Sequence, residues 1–158
     1  AGHFFQGKRV LVDQKRSPDF THNHSASFKN KFNLLFSKGI SNRHHLIRMP
    51  LFPVAESRRL SGIKTCNMGF FRNDILAVNG FNEDFVGWGR EDSELAVRFF
   101  KYGLKKTEHP FMAVCYHLWH EENDRGHLNQ NDSLLAKTME LNDYVCSNGL
   151  TKLKKNTG

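Results

Sequence analysis

Between Arg90 and Gly103 the sequence REDSELAVRFFKYG repeats its apolar residues at helical spacing. Leu95, Ala96, Val97, Phe99 and Phe100 form one wide apolar face, which must be covered by another layer of structure. The helix is predicted to start near Arg90 or Glu91 and to run to Tyr102, with Gly103 as its stop. The remaining elements arrange themselves around it. Phe4 to Val12 reads as a strand, Ile63 to Phe71 as a segment containing another, and Leu104–His109 with Phe111–Leu118 as a strand pair around Pro110. Ser17-Pro18 can start a short helix, and Phe32 to Phe36 suggests one or two helical turns ended by Gly39. Asn73 can cap a short helix from Asp74 to Val78 that Gly80 closes. A last helix is expected from Asp132 to Cys146, terminated by Asn148-Gly149. Ile40 to Gly62, basic and broken by Pro50 and Pro53, reads as a long surface loop. The expected class is α/β, a mixed sheet with flanking helices, in one domain over residues 1–150 and a loose basic tail over 151–158.

Composition removes several function classes. The 158 residues are 39 % hydrophobic and include fourteen Phe, which excludes a generally disordered chain. No apolar run approaches the ~18–20 residues that span a bilayer. The first residues lack the pattern of a signal peptide. Cys66, Cys115 and Cys146 are odd in number and widely spaced, so neither a zinc ribbon nor a disulfide framework is indicated, and a reduced, cytosolic chain is expected. The net charge of +7 implies affinity for anions: nucleic acid, acidic lipid or sugar-nucleotide phosphate. Nucleic acid is disfavoured because the Lys and Arg residues are scattered, with no recognition helix and no RNA-binding aromatic motif. Peripheral association of the basic surface with the inner face of a membrane remains an expectation.

The stretch GFNEDFVGWGREDSE, Gly80 to Glu94, carries the most chemistry. Trp88 stands between Gly87 and Gly89, whose backbone freedom lets a loop present the indole. An indole can pack against the apolar face of a pyranose while its N–H binds a hydroxyl; the bland alternative is a core plug beside a tight turn. Glu91, Asp92 and Glu94 follow in the first turn of the helix, where its dipole favours carboxylates by ~0.3–1 kcal/mol each. Successive helical positions are ~100° apart, so Glu91 and Asp92 can serve different hydroxyls of one sugar. Downstream, His117-x-x-His120 offers two imidazoles of the kind that ligate transition metals. On a strand the two rings face opposite ways, so one ion can hold both only if the strand ends near Leu118; otherwise they are ordinary histidines. His22, His24, His44 and His45 read as solvated loop residues.

Gly87-Trp88-Gly89-Arg90-Glu91-Asp92-Ser93-Glu94 resembles the WGGEDxD/E motif of β-1,4-galactosyltransferases and of family 2 bacterial glycosyltransferases, including chondroitin-polymerase-like enzymes. Thr65-Cys66-Asn67-Met68-Gly69-Phe70-Phe71-Arg72 is similar to the G-x-N-containing segment before it, and Gly80-Phe81-Asn82-Glu83-Asp84-Phe85 to the family's GFDE-type turn. Asn148-Gly149-Leu150 resembles bacterial lipopolysaccharide-type members. The resemblance covers nearly the whole chain, and Arg90 departs from it by replacing a common Gly.

The resemblance implies the carboxy-terminal, acceptor- and metal-side part of a GT-A fold whose nucleotide-binding half and Asp-x-Asp motif are not in this chain. It implies an inverting transfer of a hexose-type sugar from a UDP-sugar to a saccharide acceptor, in polysaccharide or lipopolysaccharide synthesis. Asp92 would be the general base and Glu91 would bind acceptor hydroxyls. Trp88, with Gly87 and Gly89, would close over donor and acceptor, while Asn67 and Arg90 would contribute to binding. His120 and His117 would hold Mn²⁺ or Mg²⁺, completed by the Asp-x-Asp. The isolated chain is expected to be inactive. The alternatives are a non-catalytic carbohydrate-binding remnant and, further off, a basic nucleic-acid-binding domain.

Overall fold

A computed structural model describes residues 2–20 and 28–151. The expectations for His22, His24 and the tail from Lys152 lie outside the described residues. The chain divides into two compact units, the first formed by Ala1–Gln6, Glu56–Thr107 and Asn123–Gly158 and the second by Gly7–Ala55 and Glu108–Glu122. Seven strands in two sheets and four α-helices make an α/β architecture among the described residues.

In the first unit, β4 (Ala55–Ser57), β6 (Lys105–Glu108), β1 (His3–Gln6) and β5 (Met68–Gly69) lie side by side in that order. β1 pairs antiparallel with β5, Phe5 opposite Gly69. Helix α3 (Glu91–Lys101) lays the predicted apolar face into this unit's core, where Leu95, Ala96 and Phe99 join Phe4, Ile63, Val78 and Leu104. Phe99 meets Phe4 and Phe70 with ring centroids 5.2 and 5.5 Å apart. The short α2 (Arg72–Ala77) precedes α3, and its N-cap is Phe71 rather than Asn73. α4 (Leu128–Glu140) packs on α3. It begins four residues before the predicted Asp132 and ends six before Cys146, because Leu141 turns to an extended conformation.

In the second unit, β3 (Ile40–Ser41), β2 (Lys8–Val12) and β7 (Val114–His117) form a sheet in that order. β2 runs antiparallel to β3 and parallel to β7, with Arg9 opposite Cys115 and Leu11 opposite His117. Val10 and Val12 are buried on one face with Leu34 of α1 (Phe28–Phe36), Ile40 and Leu46, and Val114 and Tyr116 pack against the same cluster. By strand alternation Arg9, Leu11, Cys115 and His117 occupy the other face.

Four sequence expectations change. The Phe4–Val12 strand is broken at Gly7 into β1 and β2, which belong to different sheets. Leu104–His109 and Phe111–Leu118 do yield strands, but β6 pairs within the first sheet and β7 within the second, so they are not a hairpin. The Ile40–Gly62 loop contains β3, a 3-10 turn at Arg43–Leu46 and β4. Residues 14–19 after β2 form turns rather than a helix begun at Ser17-Pro18. All three cysteines are free thiols.

Candidate functional site

The Trp88 loop is shaped by its glycines and held from α4. Gly87 and Gly89 adopt φ of 71° and 102°, in the left-handed region where a side chain is strained. Arg90 follows at φ 79°, so the residue that replaces a glycine sits in a conformation glycine would take more easily. Its guanidinium pairs with Asp132 of α4. Asn131, 1 % exposed, donates from Nδ2 to the carbonyls of Val86 and Gly89, each at 3.0 Å, with the Trp88 carbonyl at 3.5 Å. The indole of Trp88 is 37 % exposed, and the Arg125 guanidinium lies 4.4 Å from its ring centroid. Trp88 is therefore not a core plug: its backbone is latched and its ring lies at the surface.

The three acids of the first turn of α3 separate by environment. Glu94 is buried and grips Arg98 one turn later through two 2.8 Å bonds, and the Arg98 guanidinium also donates to the Val78 carbonyl at 2.6 Å. Glu94 is thus committed to structure. Glu91 and Asp92 remain partly accessible. One oxygen of Asp92 accepts the Ser93 N–H at 2.7 Å, which fixes the carboxylate's rotamer within the first turn. Asn67 ends a 3-10 turn, Thr65–Asn67, and its carbonyl accepts a 3.1 Å bond from buried Gln6.

Behind this loop lies a second anchor. Buried Asn79 donates to the Cys146 carbonyl at 2.7 Å and to the Thr151 hydroxyl at 3.1 Å, while its Oδ1 accepts the Thr151 N–H. Glu83 N–H donates to the Asn148 carbonyl at 2.8 Å, and Asn148 Nδ2 to Asp84 at 2.6 Å. Gly149 lies directly on the Asn79 carbonyl, where any Cβ would collide with backbone. The burial of Cys146 raises its thiol pKa above the ordinary value, which keeps it protonated and inert.

The expected metal residues lie in the second unit. β7 ends at His117, which meets the geometric condition set by the sequence: the His117 and His120 rings come together edge-on, centroids 5.1 Å apart. His120 Nδ1 lies 2.9 Å from the Glu121 carbonyl. Burial, then Arg9 and His120, holds His117 below the ordinary histidine pKa. Among the described residues no group of three or more His, Cys, Asp or Glu side chains is placed to hold a metal ion. His45, expected to be solvated, is half-buried instead. Its Nδ1 lies 3.1 Å from the Pro110 carbonyl, and burial, with His44 and Lys8 adding to it, lowers its pKa.

The structure therefore brings Gly87, Trp88, Gly89, Arg90, Glu91 and Asp92 together in one unit, with Asn67 in that unit, and places His117 and His120 in the other. Asn131, Asp132 and Arg125 were not read from the sequence as site residues. The signal for Asn131 was present, since it stands at i+3 between Leu128 and Leu134 on the apolar stripe of α4, a polar residue where a leucine is expected.

Residues 52–121 match the family model described as the N-terminal domain of galactosyltransferase. A 43-residue stretch, 27 % of this chain and 10 % of the relative, is 44 % identical to validoxylamine A glucosyltransferase of Streptomyces hygroscopicus subsp. jinggangensis. Chondroitin sulfate N-acetylgalactosaminyltransferase 1 is 29 % identical over 94 residues in Homo sapiens and 27 % over 95 in Mus musculus, covering 55 % and 56 % of this chain and 17 % of each relative. The matched segments thus span less than a fifth of those proteins. No solved structure matches the chain. These similarities support a glycosyltransferase-like domain.

Proposed function

We propose that the chain forms the acceptor side of an inverting sugar-nucleotide glycosyltransferase, with a UDP-sugar as donor and a saccharide as acceptor. The observation that carries this reading is the sorting of chemistry around Trp88. A surface indole on a latched, glycine-bounded loop leads directly into a helix whose first two acids stay accessible while the third is buried in an ion pair. The matches to galactosyl-, glucosyl- and N-acetylgalactosaminyltransferases add independent support.

In this reading the acceptor ring lies on Trp88 with a hydroxyl directed at Asp92. The hydroxyl oxygen attacks the anomeric carbon as the bond from that carbon to the diphosphate oxygen breaks. The bonding pair leaves with the nucleoside diphosphate, and the hydroxyl proton passes to Asp92. Ser93 N–H holds one Asp92 oxygen, leaving the other for the proton. Glu91, at a different azimuth of the helix, accepts from other acceptor hydroxyls and fixes which one attacks. Latching by Asn131 pre-orders the indole, so less ordering cost falls on binding. For a divalent cation no third His, Cys, Asp or Glu side chain joins the two imidazoles among the described residues, and no step is assigned to a metal.

Replacing Asp92 by Asn in the intact protein tests the base assignment. Transfer from a UDP-sugar is expected to fall ~10²–10⁴-fold with acceptor affinity retained. Undiminished transfer would refute the assignment, and intact sugar binding without transfer in the unmodified protein would favour the purely carbohydrate-binding reading.

A further inference from the structure

The second unit carries an apolar turn that its own core does not use. Residues 47–54, Ile-Arg-Met-Pro-Leu-Phe-Pro-Val, are all exposed. Phe52 N–H donates to the Met49 carbonyl at 3.1 Å, closing a turn with Pro50 and Leu51 at its centre. Proline suits the first central position because its φ is already set, but turn centres otherwise favour Gly, Asn, Asp and Ser. Here the second central residue is Leu51, 97 % exposed. Ile47, Met49, Phe52 and Val54 flank it and are 39–55 % exposed. The turn is pinned at its base: Phe52 meets Phe111 edge-on at 4.8 Å between centroids, and His109 Nε2 lies 3.3 Å from the Pro50 carbonyl. Single exposed apolar side chains are ordinary on a protein surface, but five within eight residues on a held turn mark a contact surface.

The charge around the turn has one sign. No Asp or Glu stands between Asp19 and Glu56, whereas Lys38, Arg43 and Arg48 do and are exposed. Residues 7–55 and 108–122, the whole unit, hold nine Lys or Arg against five Asp or Glu. The acids that border the apolar turn and the segment packed on it are already paired, Glu56 with Lys105 at 3.0 Å and Glu108 with Lys8 at 2.7 Å. Arg48, inside the apolar run, has no ion-pair partner among the described residues.

This arrangement selects among the possible occupants. A protein groove closing over the run would bury Arg48 without a partner, at high cost. A second copy meeting the first through the same patch would set cations against cations. At a lipid surface neither cost arises, because the Arg48 stem lies along the acyl boundary while its guanidinium reaches the phosphates. The backbone also suits insertion: Pro50 and Pro53 have no N–H to desolvate, and that of Phe52 is bonded.

We propose that the 47–54 turn docks the protein on an anionic bilayer, with Leu51 and its apolar neighbours among the acyl chains and Arg48 on headgroup phosphate. Arg43 and Lys38 add to the attraction. The proposal stands independently of the transfer reading.

Cosedimentation of the intact protein with vesicles of equal parts phosphatidylglycerol and phosphatidylcholine tests it. Binding is expected, falling as salt is raised. Leu51→Gln should weaken it by about tenfold or more, and Arg48→Gln by about fivefold. Met139→Gln, an exposed apolar position on α4 of the other unit, should leave it unchanged. Leu51 touches no core, and far-UV circular dichroism confirms that the variants fold. Absence of binding, equal binding to pure phosphatidylcholine, or undiminished binding by Leu51→Gln would each overturn the proposal. So would lipid-free dimers that Leu51→Gln abolishes, if the parent ignores vesicles, since the turn would then join two copies. None of these outcomes bears on Asp92→Asn.

Discussion

Replacing Asn131 by Ala removes the two 3.0 Å hydrogen bonds that hold the Trp88 loop on α4. Each intramolecular bond of this kind contributes a net ~0.5–1.5 kcal/mol, so the two together are worth about 1–3 kcal/mol. The third contact, 3.5 Å to the Trp88 carbonyl, is too long to add much. One opposing effect is visible: Asn131 Oδ1 is buried without a partner, and its desolvation cost disappears in the variant. A small cavity left in a 1 % exposed position works the other way. The expected outcome is a loss of about 1–3 kcal/mol in urea denaturation followed by tryptophan fluorescence. For a chain of this size that corresponds to a fall of roughly 2–12 °C in Tm. Hydrogen exchange should localise the change to residues 86–89, and acceptor affinity should weaken because the indole is no longer pre-ordered. Asn129→Ala, an exposed change on the same helix, serves as control. A variant as stable as the parent to within ~0.5 kcal/mol, with unaltered exchange at Trp88, would refute the latch.

Glu94→Gln strips the charge partner from buried Arg98 and should cost ~3–5 kcal/mol by thermal or chemical denaturation, whereas Glu94→Leu/Arg98→Met, which removes both charges, should cost clearly less. At Arg90, φ 79°, Gly and Ala both lose the Asp132 pair but only Ala keeps the backbone strain, so Arg90→Gly should exceed Arg90→Ala in stability by ~1 kcal/mol in the same assay.

The elements that were legible in the sequence are those decided locally. α3 announces itself because Leu95, Ala96 and Phe99 recur at helical spacing, and the structure buries them completely. The segment Phe4–Val12 reads as one strand although Gln6-Gly7-Lys8-Arg9 separates its two apolar stretches, and the break at Gly7 is decided by the different sheet partners that β1 and β2 take. The same holds for β6 and β7: adjacent strands around a proline suggest a hairpin, yet strand partners are chosen by contacts distant in sequence. At the site, the motif named Trp88 and Asp92 but not their supports. Asn131 and Asp132 act from about forty residues downstream, and Glu94, adjacent in sequence to the two site acids, is set apart from them by its burial with Arg98.

The anchoring of Asn79 and Gly80–Asp84 by Cys146–Thr151 also orders events during synthesis. A polypeptide leaves the ribosome amino end first, at ~5–20 residues per second. Asn79 and Thr151 are separated by 72 positions, so the turn leading to Trp88 waits about 4–14 s for the strap that closes it. During that interval the Asn79 amide and the Glu83 N–H have only water or transient partners. A message cut short before the codon for Cys146 would therefore yield a chain that carries Trp88, Glu91 and Asp92 yet lacks the piece that sets their approach.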